Sequence, residues 1–439
     1  MSLVEAAIAA NRFGFGARPG DLDTIAPNPK GWLQAQIKQP AAPAGDMPLT
    51  RAGVALLSAI QSAPAMATQS PQQKEAFALR DRDRVAHIQA AIASDTPFRE
   101  RLVKFWTNHF TVSYAQNYVM PFAGAYEAEA IRPNVTGRFR DLLGAVVHHP
   151  AMLYYLDNAR SIGPNSKQGA KADIGVNENL GRELMELHTL GVDGGYTQAD
   201  VHSLALILTG WSVGGTRDPA GTTFIYRPFG HEPGPKTFLG KTYAQGDQAE
   251  GEAALDTLAA HPSTAKHIAT QLVRHFIADD PPPAAVDRLA KTFQDSGGDL
   301  AAVSQALIDS PEAWTPDRRK YKAPLDLVAS ALRGLGVETA DLNTVNWLRR
   351  LGQLVYNAPS PEGWPDREAD WLAPELMMQR IEWGYLSIPR NVADQPPVPF
   401  AEAVLGPTLS DKTRSALSAA PSAREGIALA LLSPEFQRR

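Results

Sequence analysis

Cysteine is absent from this chain, which excludes disulfides, thiolate metal ligands and cysteine nucleophiles together. A surplus of one charge is absent too. The 42 basic and 47 acidic residues leave a net charge of −5, so there is no basic footprint for nucleic acid. No apolar run reaches the length of a membrane span. The opening MSLVEAAIAANRFGFG lacks a basic segment followed by a long apolar core. It therefore reads as having no signal peptide, which places the chain in the cytoplasm by default. GxSxG elbow, P-loop, EF-hand loop and kinase signatures are all missing.

What remains is a chain of 439 residues, 44% hydrophobic and 20% charged, the balance of a globular protein. Apolar spacings of three and four recur along most of it, predicting a mainly α protein: one compact multi-helix body over residues 1–439. His149-Pro150 and His261-Pro262 each precede a periodic run and read as helix starts. Thr197 through Asp200 reads as a capping box, and Asp299 as a helix N-cap. Residues 40–75, rich in Ala, Pro, Ser and Gln, read as a mobile exposed loop. Alternating segments within 212–250 predict a small β-hairpin insertion near 220–245, with His231-Glu232 near its tip. Residues 356–374, dense in Pro, Gly and Trp, read as an ordered loop over a cleft.

The stretch NENLGRELMELHTLG from Asn177 concentrates the chemistry. Leu180, Leu184, Leu187 and Leu190 mark a buried helical stripe. Charges beside such a stripe must pair or serve a function. Asn179, Glu183 and Glu186 fall on one helical face, while His188 lies roughly 200° from Glu186 on an ideal helix. Gly191 is a candidate C-cap.

Three readings of this segment stay open. In one, Glu183 and Glu186 join His109, His188 or His231 around a divalent transition metal such as zinc, manganese or iron, with His109, Glu186 and His231 as the ligand set. In another, two carboxylates act as acid and base or nucleophile, as glycosidic hydrolysis requires. Glu178, Glu183, Glu186, Asp157 and Glu232 are its candidates, and Trp364 supplies a platform for a sugar ring. In the third, Arg182 and the glutamates form a buried ion-pair network that fixes helix register.

Around this segment, His109 of FWTNHFTVS is a candidate ligand or proton shuttle, although a lone histidine in such an apolar setting is more often a satisfied core residue. Asp157 and Asn158 are placed to bind substrate or to cap the next element. Lys236 of HEPGPKTFLG suits an anionic substrate group. His87, His148, His202, His261, His267 and His275 sit in ordinary helical contexts and receive no role. The expectation is an enzyme, a hydrolase or lyase acting on a small polar substrate, carbohydrate included. Glu183, Glu186, His188 and His231 are its catalytic candidates, with Arg182, Lys236, Asp157, Asn158, Asn179 and Trp364 for substrate.

FWTNHFTVS, the 177–201 segment, the HE-x-G-x-K-x-x-LG pattern at 231–240 and SGGDL at 296–300 together resemble the domain-of-unknown-function 1800 family of bacterial proteins. The resemblance implies an all-helical core and no settled activity. It also implies a periplasmic setting as the alternative to the cytoplasm, and a second family, sulfatase-like and exported, as a companion. A non-catalytic partner or maturation factor for such a sulfatase-like protein is the competing reading. It calls for an exposed apolar patch and for glutamates paired with Arg182.

Overall fold

The computed structural model describes residues 2–39, 50–62, 70–172, 175–215, 223–387 and 395–439. The chain is mainly α, and the strands among the described residues form two small antiparallel ribbons. A continuous cluster of buried apolar side chains runs from Ala6 to Phe436. Among the described residues no helix is long and apolar enough to cross a membrane.

Local chemistry accounts for many helix ends. His149 and His261 are N-caps ahead of proline, and each ring Nδ1 accepts a backbone N–H two residues on, at 3.1 Å. Thr197 and Asp200 form a reciprocal capping box at the start of Gln198–Ile207. Asp299 caps Leu300–Asp309. Arg12 in the π turn Ala9–Phe13 is buried and donates to the carbonyls of Ala313, Thr315 and Asp317, satisfying acceptors in a connecting segment.

Two expectations need correction. Within 40–75, residues 50–62 form the helix Thr50–Ser62 and the helix Pro71–Ala93 begins after Ser70, so this is not one continuous loop. The rest of that call, 40–49 and 63–69, lies outside the described residues. The small β insertion expected near 220–245 is present, with a second ribbon beside the hairpin; what differs is the place of His231-Glu232. Trp211–Val213 pairs with Phe224–Tyr226, and Lys236–Phe238 pairs separately with Lys241–Tyr243. His231 and Glu232 are buried between the two ribbons in sequence rather than exposed at a tip.

The helix Pro97–His109 organises the centre of the molecule. Its residues from Pro97 to Thr107 are all buried, so Arg99, Glu100, Arg101 and Lys104 enter the interior. Burial of such groups is tolerable only with partners, and these partners shape the site.

Candidate functional site

A cavity of about 300 Å³ opens beside Pro97–His109. Arg101, Lys104, Phe105 and Asn108 reach it from that helix, at spacings of three and four. His267, Gln271, Arg274 and His275 reach it from Pro262–Phe276, His87 from Pro71–Ala93, and Glu186 from the central segment. The 356–371 loop closes another side through Tyr356, Trp364 and Asp366. Asn108 pins this loop. Its amide nitrogen donates to the Trp364 carbonyl at 2.9 Å, and its oxygen accepts the Trp364 N–H at 2.8 Å. Gly363 has φ of +86°, and a Cβ there would lie 2.5 Å from the Asn108 carbonyl oxygen, so glycine is required.

Deep in the cavity wall, His87 Nδ1 lies 2.5 Å from Glu127 Oε2. Tyr356 donates to the same oxygen at 2.8 Å, and Lys104 donates to Oε1 at 2.9 Å. Arg132 also donates to Oε1, at 2.7 Å, and pairs with Glu100, as does Lys104 at 2.9 Å. Two carboxylates, Glu100 and Glu127, thus face Lys104 and Arg132 in a buried set. Burial alone pushes Glu127 up, but Lys104, His87 and Arg132 overcome it and hold the carboxyl well below its ordinary range. Burial lowers His87, Lys104 lowers it further, and Glu127 opposes them. The ring is therefore neutral near pH 7. The Lys104 ammonium is also 3.2 Å from Nδ1, but the shorter contact to an ionised carboxylate assigns the ring proton to Nδ1. Nε2 has no hydrogen-bond partner among the described residues, on a side chain that lines the cavity.

A second pair lines the same cavity. His275 Nδ1 lies 2.9 Å from Asp366 Oδ2. Burial pushes Asp366 up, while His275, Lys320 and Arg439 hold it low. His275 Nε2 faces the Arg101 guanidinium at 3.5 Å, so this ring accepts from Arg101 and is occupied on both sides.

The central segment departs from a plain α-helix. It runs as α over Asn179–Glu183 and as a π turn over Leu184–His188, a distortion frequent at functional sites. Gly181 permits close packing, since a Cβ there would meet the Ala205 nitrogen at 3.1 Å. The carbonyls at the end of the π turn find histidine donors: His267 Nε2–H donates to Leu187 at 2.9 Å and His109 Nε2–H to His188 at 3.2 Å. His188 turns inward against Phe110 with both ring nitrogens buried and unpartnered. Burial, then His267, depress it to about 3. Glu186 is half-buried on the cavity side.

Of the residues singled out from sequence, His109, Glu186 and Trp364 line the cavity. Glu183 is half-buried outside its lining, raised by burial and by Glu186 against the opposing charge of Arg182. The expected convergence of His109, Glu186 and His231 does not occur, and among the described residues no three histidine or acidic side chains are grouped to hold a metal ion. His231 instead donates from Nδ1 to the Thr209 carbonyl at 2.9 Å, and its Nε2 is 3.0 Å from Glu250. Lys236 donates to the Glu232 carbonyl at 2.6 Å and to Glu250 at 3.1 Å. Glu232 accepts from the backbone and side chain of Asn165. The HE-x-G-x-K pattern is thus a buried network tying the ribbons to the helix Gln248–Ala260.

Arg182 is partly exposed and pairs with Glu178 at 3.0 Å, not with Glu183 or Glu186 in a buried network. Asn158 is buried and donates to the Leu208 and Trp211 carbonyls. Asp157 sits in a left-handed turn with φ of 58°, and Asn179 is exposed at a helix start. Sequence reasoning missed His87 and His275. Their acidic partners lie 40 and 91 residues away, so no local pattern marks either pair.

A family model described as "Protein of unknown function (DUF1800)" matches residues 8–438. No curated protein and no solved structure matches the chain.

Proposed function

The chain belongs to the DUF1800 family of proteins of unknown function, and we propose that it is an enzyme performing proton-transfer chemistry, hydrolysis or elimination, on a small polar substrate. The observation that carries this reading is His87 on the cavity wall, oriented by an ionised, buried Glu127 with Nε2 unpartnered. A neutral imidazole so held takes a proton through Nε2, and the carboxylate stabilises the imidazolium that forms. That proton then passes to the leaving group. The Tyr356 hydroxyl is committed to Glu127, and the other hydroxyls in the described lining are those of Thr107 and Thr111. In this reading His87 activates water or deprotonates the substrate. Trp364 in the wall suits the face of a sugar ring, which keeps carbohydrates within the substrate class.

The partner reading calls for an exposed apolar face and for glutamates neutralised by Arg182. Met378, Ile381, Tyr385 and Leu386 are exposed along Pro374–Leu386 and meet the first demand. Glu183 and Glu186 have no bond to Arg182, so the second demand fails and the enzyme reading carries more.

The test is a panel of nitrophenyl esters, glycosides, phosphates and sulfates, with an elimination assay on hydroxy acids. Each is run on the wild type, His87→Gln and the partly exposed control Glu178→Gln. Loss of a general base costs about 10²–10⁴-fold in turnover. That loss is expected for His87→Gln and not for Glu178→Gln. Turnover that survives His87→Gln, or a wild type inert across the panel, overturns the proposal.

A further inference from the structure

The charges around the cavity divide into three kinds. Arg101, Lys104, Asp326 and Asp366 are buried or half-buried and each has an opposite charge bonded to it. Glu362, Arg367 and Asp370 are exposed at the rim, where water solvates them. Glu186 and Arg274 remain. Both are half-buried in the lining, and neither has an ion-pair partner among the described residues. Arg274 Nη1 reaches only the neutral Gln271 Oε1, at 3.3 Å. Its Nε–H is sealed from solvent without an acceptor, in a fold whose other cavity charges are satisfied. Glu186 accepts no hydrogen bond among the described residues, although its neighbour Glu178 in the same segment accepts three.

One unpaired charge of each sign in one small cavity, held too far apart to bond each other, describes the two ends of a ligand. We infer that the cavity recognises a zwitterion, its carboxylate on Arg274 and its ammonium on Glu186. Arginine suits the anionic end because its planar fork binds carboxylate oxygens in pairs. A glutamate suits the ammonium end as an acceptor without donors of its own. Free amino acids and small amino-acid derivatives carry both ends. Their neutral portion then lies along the wall that includes His87 and Trp364. This rests on the reading of the cavity as a substrate site and names the class of substrate.

The experiment is calorimetric titration of the full chain with glycine, 3-aminopropanoate, 4-aminobutanoate and 5-aminopentanoate. Each is compared with the carboxylate and the alkylammonium of equal carbon count. The inference predicts binding of one chain length at least about tenfold tighter than either single-charge counterpart. Arg274→Gln should reduce that ligand to the affinity of the alkylammonium, and Glu186→Gln to that of the carboxylate. Arg274→Lys, which keeps the charge without the fork, should recover part of the loss. Equal affinities across the series, no binding, or a preference indifferent to both substitutions overturns the inference. Failure here with His87-dependent turnover intact removes only the substrate class. Zwitterion binding retained alongside turnover indifferent to His87→Gln removes the catalytic reading and leaves this one standing.

Discussion

Replacing Glu127 by glutamine tests the buried charge set that positions His87. Glu100 and Glu127 balance Lys104 and Arg132, and His87 in their midst is neutral, so the set as a whole carries no net charge. Glutamine keeps the volume and still accepts from the Tyr356 hydroxyl, which bonds Glu127 at 2.8 Å. It removes one negative charge and leaves Lys104 and Arg132 sharing Glu100 alone. An uncompensated buried charge costs about 3–5 kcal/mol, a large part of the roughly 5–15 kcal/mol that holds a domain folded. Urea unfolding at pH 7, with an unchanged slope, should show that loss as a lower midpoint. Adding Lys104→Met restores neutrality, and the cycle should return a favourable coupling of about 1–3 kcal/mol. A Glu127→Gln variant within about 1 kcal/mol of wild type, or additive single changes, refutes the argument.

Acid should weaken the fold through its buried histidines, with a partial offset from Asp83, whose carboxyl burial raises to about 7 so that the folded state takes up a proton in the same window. His188 and His149 are both depressed by burial to about 3. The unfolded chain therefore gains protons below about pH 6.5 that the folded chain refuses, and stability is lost as pH falls through that window, by about 3 kcal/mol for the pair at pH 5.5. Asp326, held at about 2 by Arg101 and Arg439 against burial, keeps its full contribution across this window and loses it only as pH falls from about 4 through 2. A urea midpoint unchanged between pH 7 and pH 5.5 contradicts this. Asn108→Ala removes both bonds to Trp364; each is worth about 0.5–1.5 kcal/mol, and limited proteolysis should then cut within 356–371 faster than in wild type. Gly181→Leu forces a side chain against the Ala205 nitrogen, 3.1 Å from the first added carbon. A cost of about 1–3 kcal/mol is expected by thermal unfolding, and an unchanged midpoint would show that the two segments pack less closely.

The helical architecture was legible because its signals are local. Capping at Thr197 and the His-Pro starts at 149 and 261 each involve residues within three positions. The central segment was legible as a place where charge meets an apolar stripe, and Glu186 does line the cavity. Its geometry was not, because a π turn widens the helix at Leu184–His188 without altering the leucine spacing that suggests a regular one. His231 and Lys236 read as catalytic and substrate groups because nothing in their own segment announces Glu250, the partner that makes their burial tolerable. His87 was hidden for the same reason. DRDRVAH reads as the charged face of an amphipathic helix, and only the fold brings Glu127 and Tyr356 to the ring. Pairing across long sequence separations is set by packing, and periodicity does not encode it.

The most direct test of the central claim is the protonation state and tautomer of His87, read by long-range ¹H–¹⁵N correlation on the full chain and assigned through His87→Gln. The account predicts a neutral ring at pH 7 with the proton on Nδ1, facing Glu127, and Nε2 bare. A ring carrying its proton on Nε2, or one doubly protonated at pH 7, has no lone pair to offer the cavity and contradicts the proposed base.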